Sequence, residues 1–222
     1  MRKHIIFFIH GMGVYVKADG SADPGWSQKS LQILKQQYAK YPGITTPFDD
    51  LFEVVPLNYD TVFNDLVQRW AEAAGEITEA GVDIGSSGQK VLDWLSSGAE
   101  TDDNFAWSHV GDVLLYRFFN LVRQRVKIHV ANQINNALRP NDAGPVTHWH
   151  VIAHSLGTIV THDVLHAMSR TTPNEAGIDI LQAAVPNAGS VTMLANVSKR
   201  LESDVKVYQS GLLPPQVTDC YI

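Results

Sequence analysis

Residues 151–157 read Val-Ile-Ala-His-Ser-Leu-Gly, an apolar run that closes on a serine set among small residues. A buried strand turning sharply into a helix carries this pattern and would leave the Ser155 hydroxyl exposed at the turn. Small residues are needed two positions before and two after such a serine, because strand and helix nearly touch there. Ala153 and Gly157 meet that need. An earlier segment answers this one: residues 5–13 read Ile-Ile-Phe-Phe-Ile-His-Gly-Met-Gly, a strand running straight into a glycine-flanked loop. The backbone N–H groups of such a loop are free to face a developing oxyanion.

Outward from these two segments, short strands alternate with helices. The pattern predicts strands at about 4–9, 51–57, 147–153, 178–185 and 205–209, and a last one near 217–222. That is the order of an α/β fold with a mainly parallel sheet covered on both faces. Unbroken apolar runs such as Ile5–Ile9 argue for strands buried on both sides. A first helix is expected over 27–40, with Ser27 as N-cap and Leu31, Leu34 and Tyr38 on one face. Tyr41-Pro42-Gly43 stops it. A second starts near Thr61 and spaces Val62, Leu66 and Trp70 by four. The stretch from Thr61 to Pro145 is long for one crossover. It reads as a core helix at about 110–138, striped by Val126, Val130, Ile134 and Leu138, after an insertion at about 76–108. Trp94 and Trp107 in that insertion suit a lid; Phe118 and Phe119 suit core.

Composition bounds the function. The 222 residues suit one domain with a full hydrophobic core, here the whole of 1–222. A formal net charge of −6 and no basic run argue against a nucleic-acid partner. The single cysteine, Cys220, cannot form an internal disulfide, which suits a reducing compartment; cytoplasm is the expected location. The apolar run after Met1-Arg2-Lys3-His4 is too short for a signal peptide, and no stretch approaches a membrane span.

Taken together and in this chain order, the strand-His10-Gly11-Met12-Gly13 and Ala153-His154-Ser155-Leu156-Gly157 segments resemble the oxyanion loop and nucleophile elbow of the α/β-hydrolase family, in its lipase and esterase branch. The resemblance implies a three-layer domain and a serine hydrolase acting on a carboxylic ester. Ser155 would be the nucleophile, and the N–H groups of Met12 and Leu156 the oxyanion hole. His10, Gly11, Gly13, Ala153, His154 and Gly157 would support the motif. A small-molecule ester, lipid-like by resemblance, would be the partner, with no metal or organic cofactor.

In that family the acid and then the histidine follow the serine. This chain departs from the pattern. After Ser155 the only histidines are His162 and His166, both on the helix that leads away from it. Asp163 rides the same helix; Asp179 and Asp204 precede apolar strands, the wrong end; Asp219 stands before a terminal Tyr221-Ile222. The resemblance therefore places acid and base beyond Ile222, in a missing C-terminal strand and helix. The alternative is a catalytically silent relative that binds a ligand or a protein.

Three further readings are weaker. His148, His150 and His154 could ligate zinc, but strand-flanking polar positions account for them. His162 and His166 have zinc-helix spacing without the adjacent glutamate. Gly11-Met12-Gly13 lacks the third glycine of a dinucleotide fingerprint.

Overall fold

A computed structural model describes residues 3–11, 25–80, 116, 120–139, 148–169, 188–197 and 219–221. Five strands form one sheet: β1 (His4–Ile9), β2 (Phe52–Leu57), β3 (Trp149–His154), β4 (Ala188–Leu194) and β5 (Asp219–Tyr221). Their order is β2-β1-β3-β4-β5, and every neighbouring pair is parallel. The helices are α1 (Gly25–Tyr38), α2 (Phe48–Leu51), α3 (Asp60–Glu79), α4 (Asn120–Leu138) and α5 (Leu156–Ser169).

Strand β1 is central because both of its faces are apolar. Ile5, Phe7 and Ile9 enter one core with Trp149, Val151 and Ala153, under helices α3, α4 and α5. Ile6 and Phe8 point the other way, against Trp26, Leu31 and Leu34 of α1 and Phe48 of α2. Full burial of each large apolar side chain stabilises the fold by about 2 kcal/mol. Neither face of β1 can be turned to water without losing several such terms.

Register then gathers the strand ends. Ile9 lies opposite Leu57 on one side and opposite Ala153 on the other, so β1, β2 and β3 finish along one edge. The helix after β1 covers one face of the sheet, whereas the helix after β3 packs against the other. A crevice opens at the carboxyl ends of two neighbouring parallel strands whose connections part in this way. Here that switch point lies between the ends of β1 and β3, where the two backbones close on each other.

Two polar devices lock the helices onto that frame. The Asn58 side chain accepts the Asp60 N–H at 2.8 Å, shaping the entry to α3. Gln133 of α4 brackets Asn58, donating to its carbonyl at 2.8 Å and accepting its N–H at 3.2 Å. Between α4 and α5, Arg123 grips Asp163 with two hydrogen bonds of 2.6 and 2.8 Å, and the buried Tyr116 hydroxyl donates to the same carboxylate.

Several sequence expectations need correction. Helix α1 begins at Gly25, which puts Ser27 inside its first turn and buried, not at the N-cap. Helix α3 runs on to Glu79, so the stretch at about 76–108 starts inside this helix. Its stripe of Val62, Leu66 and Trp70 does pack on the core, and Val126, Val130, Ile134 and Leu138 of α4 are buried. Strand β4 at Ala188–Leu194 falls between two expected strands and matches neither. The strands expected at 178–185 and 205–209, the remaining insertion with Trp94 and Trp107, and Phe118 and Phe119 lie outside the described residues. Among those described, no helix is long and apolar enough to cross a membrane.

Candidate active site

Ser155 links the last residue of β3 to the first of α5 and has φ = 52°. Outside glycine, this left-handed region costs roughly 1–2 kcal/mol and persists only where the surroundings impose it. Three contacts impose it. The Ser155 N–H donates to the Leu194 carbonyl at the end of β4, at 2.9 Å. Its own carbonyl accepts the Thr158 N–H at 2.9 Å and the Thr158 hydroxyl at 2.6 Å. That hydroxyl in turn accepts the Val197 N–H at 3.2 Å, so the turn is tied twice to the segment containing β4.

Glycine 157 allows the third constraint. A Cβ there would stand 2.3 Å from the His10 carbonyl oxygen and 2.8 Å from that of Ile9. The start of α5 thus rests directly on the backbone at the end of β1. Gly11 is pressed in turn against the serine: a Cβ on it would lie 2.8 Å from Ser155 Cβ and 2.9 Å from His154 Nδ1. The two segments singled out by sequence therefore meet at the carboxyl ends of β1 and β3. The first-turn N–H groups of α5, Leu156 among them, have no acceptor within the helix and give its start a positive bias.

The sequence reading left the Ser155 hydroxyl exposed, but the residue keeps only 9% of its surface. Ala153 and Leu156 are fully buried, and His154 is exposed beside Gly11. Met12 and Gly13 lie outside the described residues. His10 is buried, and its Nδ1 bonds the Gly11 carbonyl at 2.7 Å. Burial drives its pKa down to about 4, against the opposing pull of that backbone bond, so the ring is neutral at pH 7. It stacks on Tyr59 at 4.3 Å, meets Trp26 edge-on at 5.1 Å, and holds Nε2 3.6 Å from Asp60.

Sequence reasoning missed Tyr59, Asp60, Thr158 and the Leu194 carbonyl. A signal existed for the first two: they directly follow β2, and residues after parallel strands collect at one edge. Nothing in the sequence marks Leu194, since it acts through its backbone.

The other candidates fall elsewhere. Asp163 is held at a pKa of about 2: burial pushes it up, but nearby His162, Arg123 and Tyr116 outweigh that effect. Its carboxylate is thus committed to the α4–α5 contact. His162 and His166 stack on each other along α5, 6.3 Å apart. His148 and His150 face His4 at the opposite edge of the sheet, with ring separations of 5.2 and 6.2 Å. Among the described residues, no three His, Cys, Asp or Glu side chains are arranged to hold a metal ion. An open groove of about 400 Å³ between α3 and α4, lined by Thr61, Val62, Asp65, Arg125, Ile128, His129 and Asn132, shares no residue with the Ser155 turn. The strained serine and the backbone around it, not this groove, carry the chemical signal.

No family model matches the chain, and neither a curated protein nor a solved structure does.

Proposed function

We propose that the protein is an α/β-hydrolase-like serine hydrolase of three layers, cleaving a carboxylic ester through an acyl-enzyme on Ser155. The observation that carries this reading is the left-handed Ser155, packed against Gly11 at the switch point between the carboxyl ends of β1 and β3. A fold tolerates a strained, non-glycine turn at such an edge most readily where the side chain has work to do.

In this reading the Ser155 oxygen attacks the ester carbonyl while a base takes its proton. The carbonyl oxygen becomes an oxyanion and is received by the N–H groups of Met12 and Leu156. Collapse expels the alcohol, which takes a proton, and water then releases the acid and restores the serine. Among the described residues, His10 is a poor candidate for the base, because burial leaves it weakly basic, with a pKa of about 4, and its Nδ1 is turned toward the Gly11 carbonyl. His162 and His166 ride α5 away from the turn. In the family that the two segments resemble, acid and base follow the serine in chain order.

The test is covalent. A fluorophosphonate probe should label Ser155 alone, and Ser155→Ala should lose labelling together with ester turnover, by as much as about 10⁶-fold. Labelling centred on another serine would overturn the assignment. One observation favours the silent, ligand-binding alternative: among the described residues, no imidazole hydrogen-bonds the Ser155 hydroxyl. An inert Ser155 in an otherwise folded protein would select that reading.

A further inference from the structure

Leu194 is the last residue of β4, and its carbonyl accepts the Ser155 N–H at 2.9 Å. The residue after it, Ala195, has φ = 49°, so the neighbouring strands β3 and β4 both end in a left-handed, non-glycine turn. Such a turn persists only where its surroundings impose it. Here the Val197 N–H donates to Thr158 Oγ1 at 3.2 Å, and the Asn196 amide donates to Met193 Sδ at 3.4 Å. The backbone of Leu194 is thus fixed from both sides, directly beside the serine.

Its side chain has no such employment. Val191 and Met193 enter the core under α3, α4 and α5, and the pleat sends Leu194 to the opposite face. There it is 48% exposed. Register sets it next to His154, also exposed, whose ring borders Gly11. Gly11, His154 and Leu194 therefore form a row across the ends of β1, β3 and β4. The other exposed large apolar side chains among the described residues sit on helices or between α1 and α2. A lone exposed leucine on a helix is ordinary. At position 194 the bond to Ser155 comes from the backbone, so any residue would supply it, and an apolar side chain held in water beside the serine calls for another reason.

We propose that Leu194 is a specificity-determining residue: its side chain is the apolar wall along which the aliphatic chain of the ester lies while the carbonyl is at Ser155. This rests on the hydrolase reading of Ser155. Neighbouring strands are about 4.8 Å apart, so a chain only a few carbons long crosses from Ser155 to Leu194. A one-carbon group stops short of it.

Leu194→Ala truncates the wall and keeps the backbone bond. A methylene in an apolar pocket changes kcat/KM by roughly 10–200-fold, and a wall open on one side should give the low end. In the full chain we expect the kcat/KM ratio of long-chain to one-carbon substrate to fall about tenfold. Leu194→Met should restore most of it, and Leu194→Gln, similar in size but polar, should lose it as Leu194→Ala does. Two series locate the chain: 4-nitrophenyl esters of lengthening acids, and acetates of lengthening alcohols. A fall in the first places the acyl chain on Leu194, a fall in the second the alcohol, and either supports the wall. Leu121→Ala, an equally exposed leucine on α4, is the control and should leave both ratios unchanged. A wild type indifferent to chain length in both series, or ratios unmoved in Leu194→Ala and Leu194→Gln, would overturn the proposal. A wild type without Ser155-dependent turnover would sink the hydrolase reading and the role of Leu194 with it, so wild-type turnover tells the two failures apart.

Discussion

The two edges of the sheet carry the same residue type in opposite circumstances. At the carboxyl edge one histidine, His10, is buried and pinned to backbone beside a strained serine. At the amino edge His4, His148 and His150 lie ring to ring, with His4 also meeting Phe52 edge-on at 5.6 Å. His148 is exposed, whereas the non-glycine residues with a positive φ among those described, Ser155 and Ala195, directly follow β3 and β4 at the carboxyl edge. Counting histidines would have favoured the amino edge as the reactive one. Backbone strain and close packing pick the other, which shows that geometry, not residue inventory, marks the candidate site.

Glycine substitutions test this contrast most severely. In Gly157→Ala the new methyl meets two backbone carbonyls that cannot step aside. We expect a loss of about 3 kcal/mol, the upper end of ordinary overpacking, in chemical denaturation. Gly11→Ala meets a serine Cβ and a histidine ring and should cost roughly 1–2 kcal/mol. At the amino edge, Gly189→Ala meets only the His150 ring, with its nearest atom at 2.4 Å. A ring end on a half-buried side chain can swing, so under about 1 kcal/mol is expected. Equal losses at all three positions would erase the distinction between the edges.

Acid titration separates the histidines themselves. His10 has a native pKa of about 4 against an ordinary 6.5. Its contribution is complete above pH 6.5 and is lost as pH falls from 6.5 to 4, because only the unfolded chain takes up the proton there. The loss should reach roughly 3 kcal/mol. His4 and His150 are also shifted down, by burial first and then by their histidine neighbours, but each keeps more water. Urea midpoints measured across this window should flatten in His10→Asn. The double variant His4→Asn, His150→Asn should keep most of the slope.

The smallest effect concerns strain. Ser155→Gly frees the left-handed turn and should raise stability by up to about 1 kcal/mol while abolishing probe labelling. A less stable variant would mean that the serine side chain supports the turn.

Much of the frame was legible because hydrophobic period follows burial directly. The continuous run Ile5–Ile9 announced a strand covered on both faces, and the four-residue stripe of α4 announced its buried side. Strand β4 was hidden because its burial alternates through small and polar residues, Ala188, Gly189, Ser190 and Thr192. The serine turn and Gly11 were readable since close backbone approach admits few residue types. Tyr59 was not, because its partners are carbonyls just past the end of another strand, and a backbone acceptor leaves no trace in residue identity. The pairing of Arg123 with Asp163 joins residues 40 positions apart and likewise had no local signature.

The parallel pairing of β1 with β3 has a consequence for how the protein is made. Ile5 pairs with Trp149 and Ile9 with Ala153, so the central ladder joins segments that leave the ribosome far apart in time. Such distant contacts bear a large loop-closure entropy, and folds built on them are slow to form. Until β3 emerges, β1 has a neighbour on one side only, and its apolar edge is open to pairing with other chains. The serine turn lies at the closing point of that ladder, so the candidate site assembles late. Crowded or rapid synthesis should therefore lower the yield of folded protein more than its equilibrium stability would suggest.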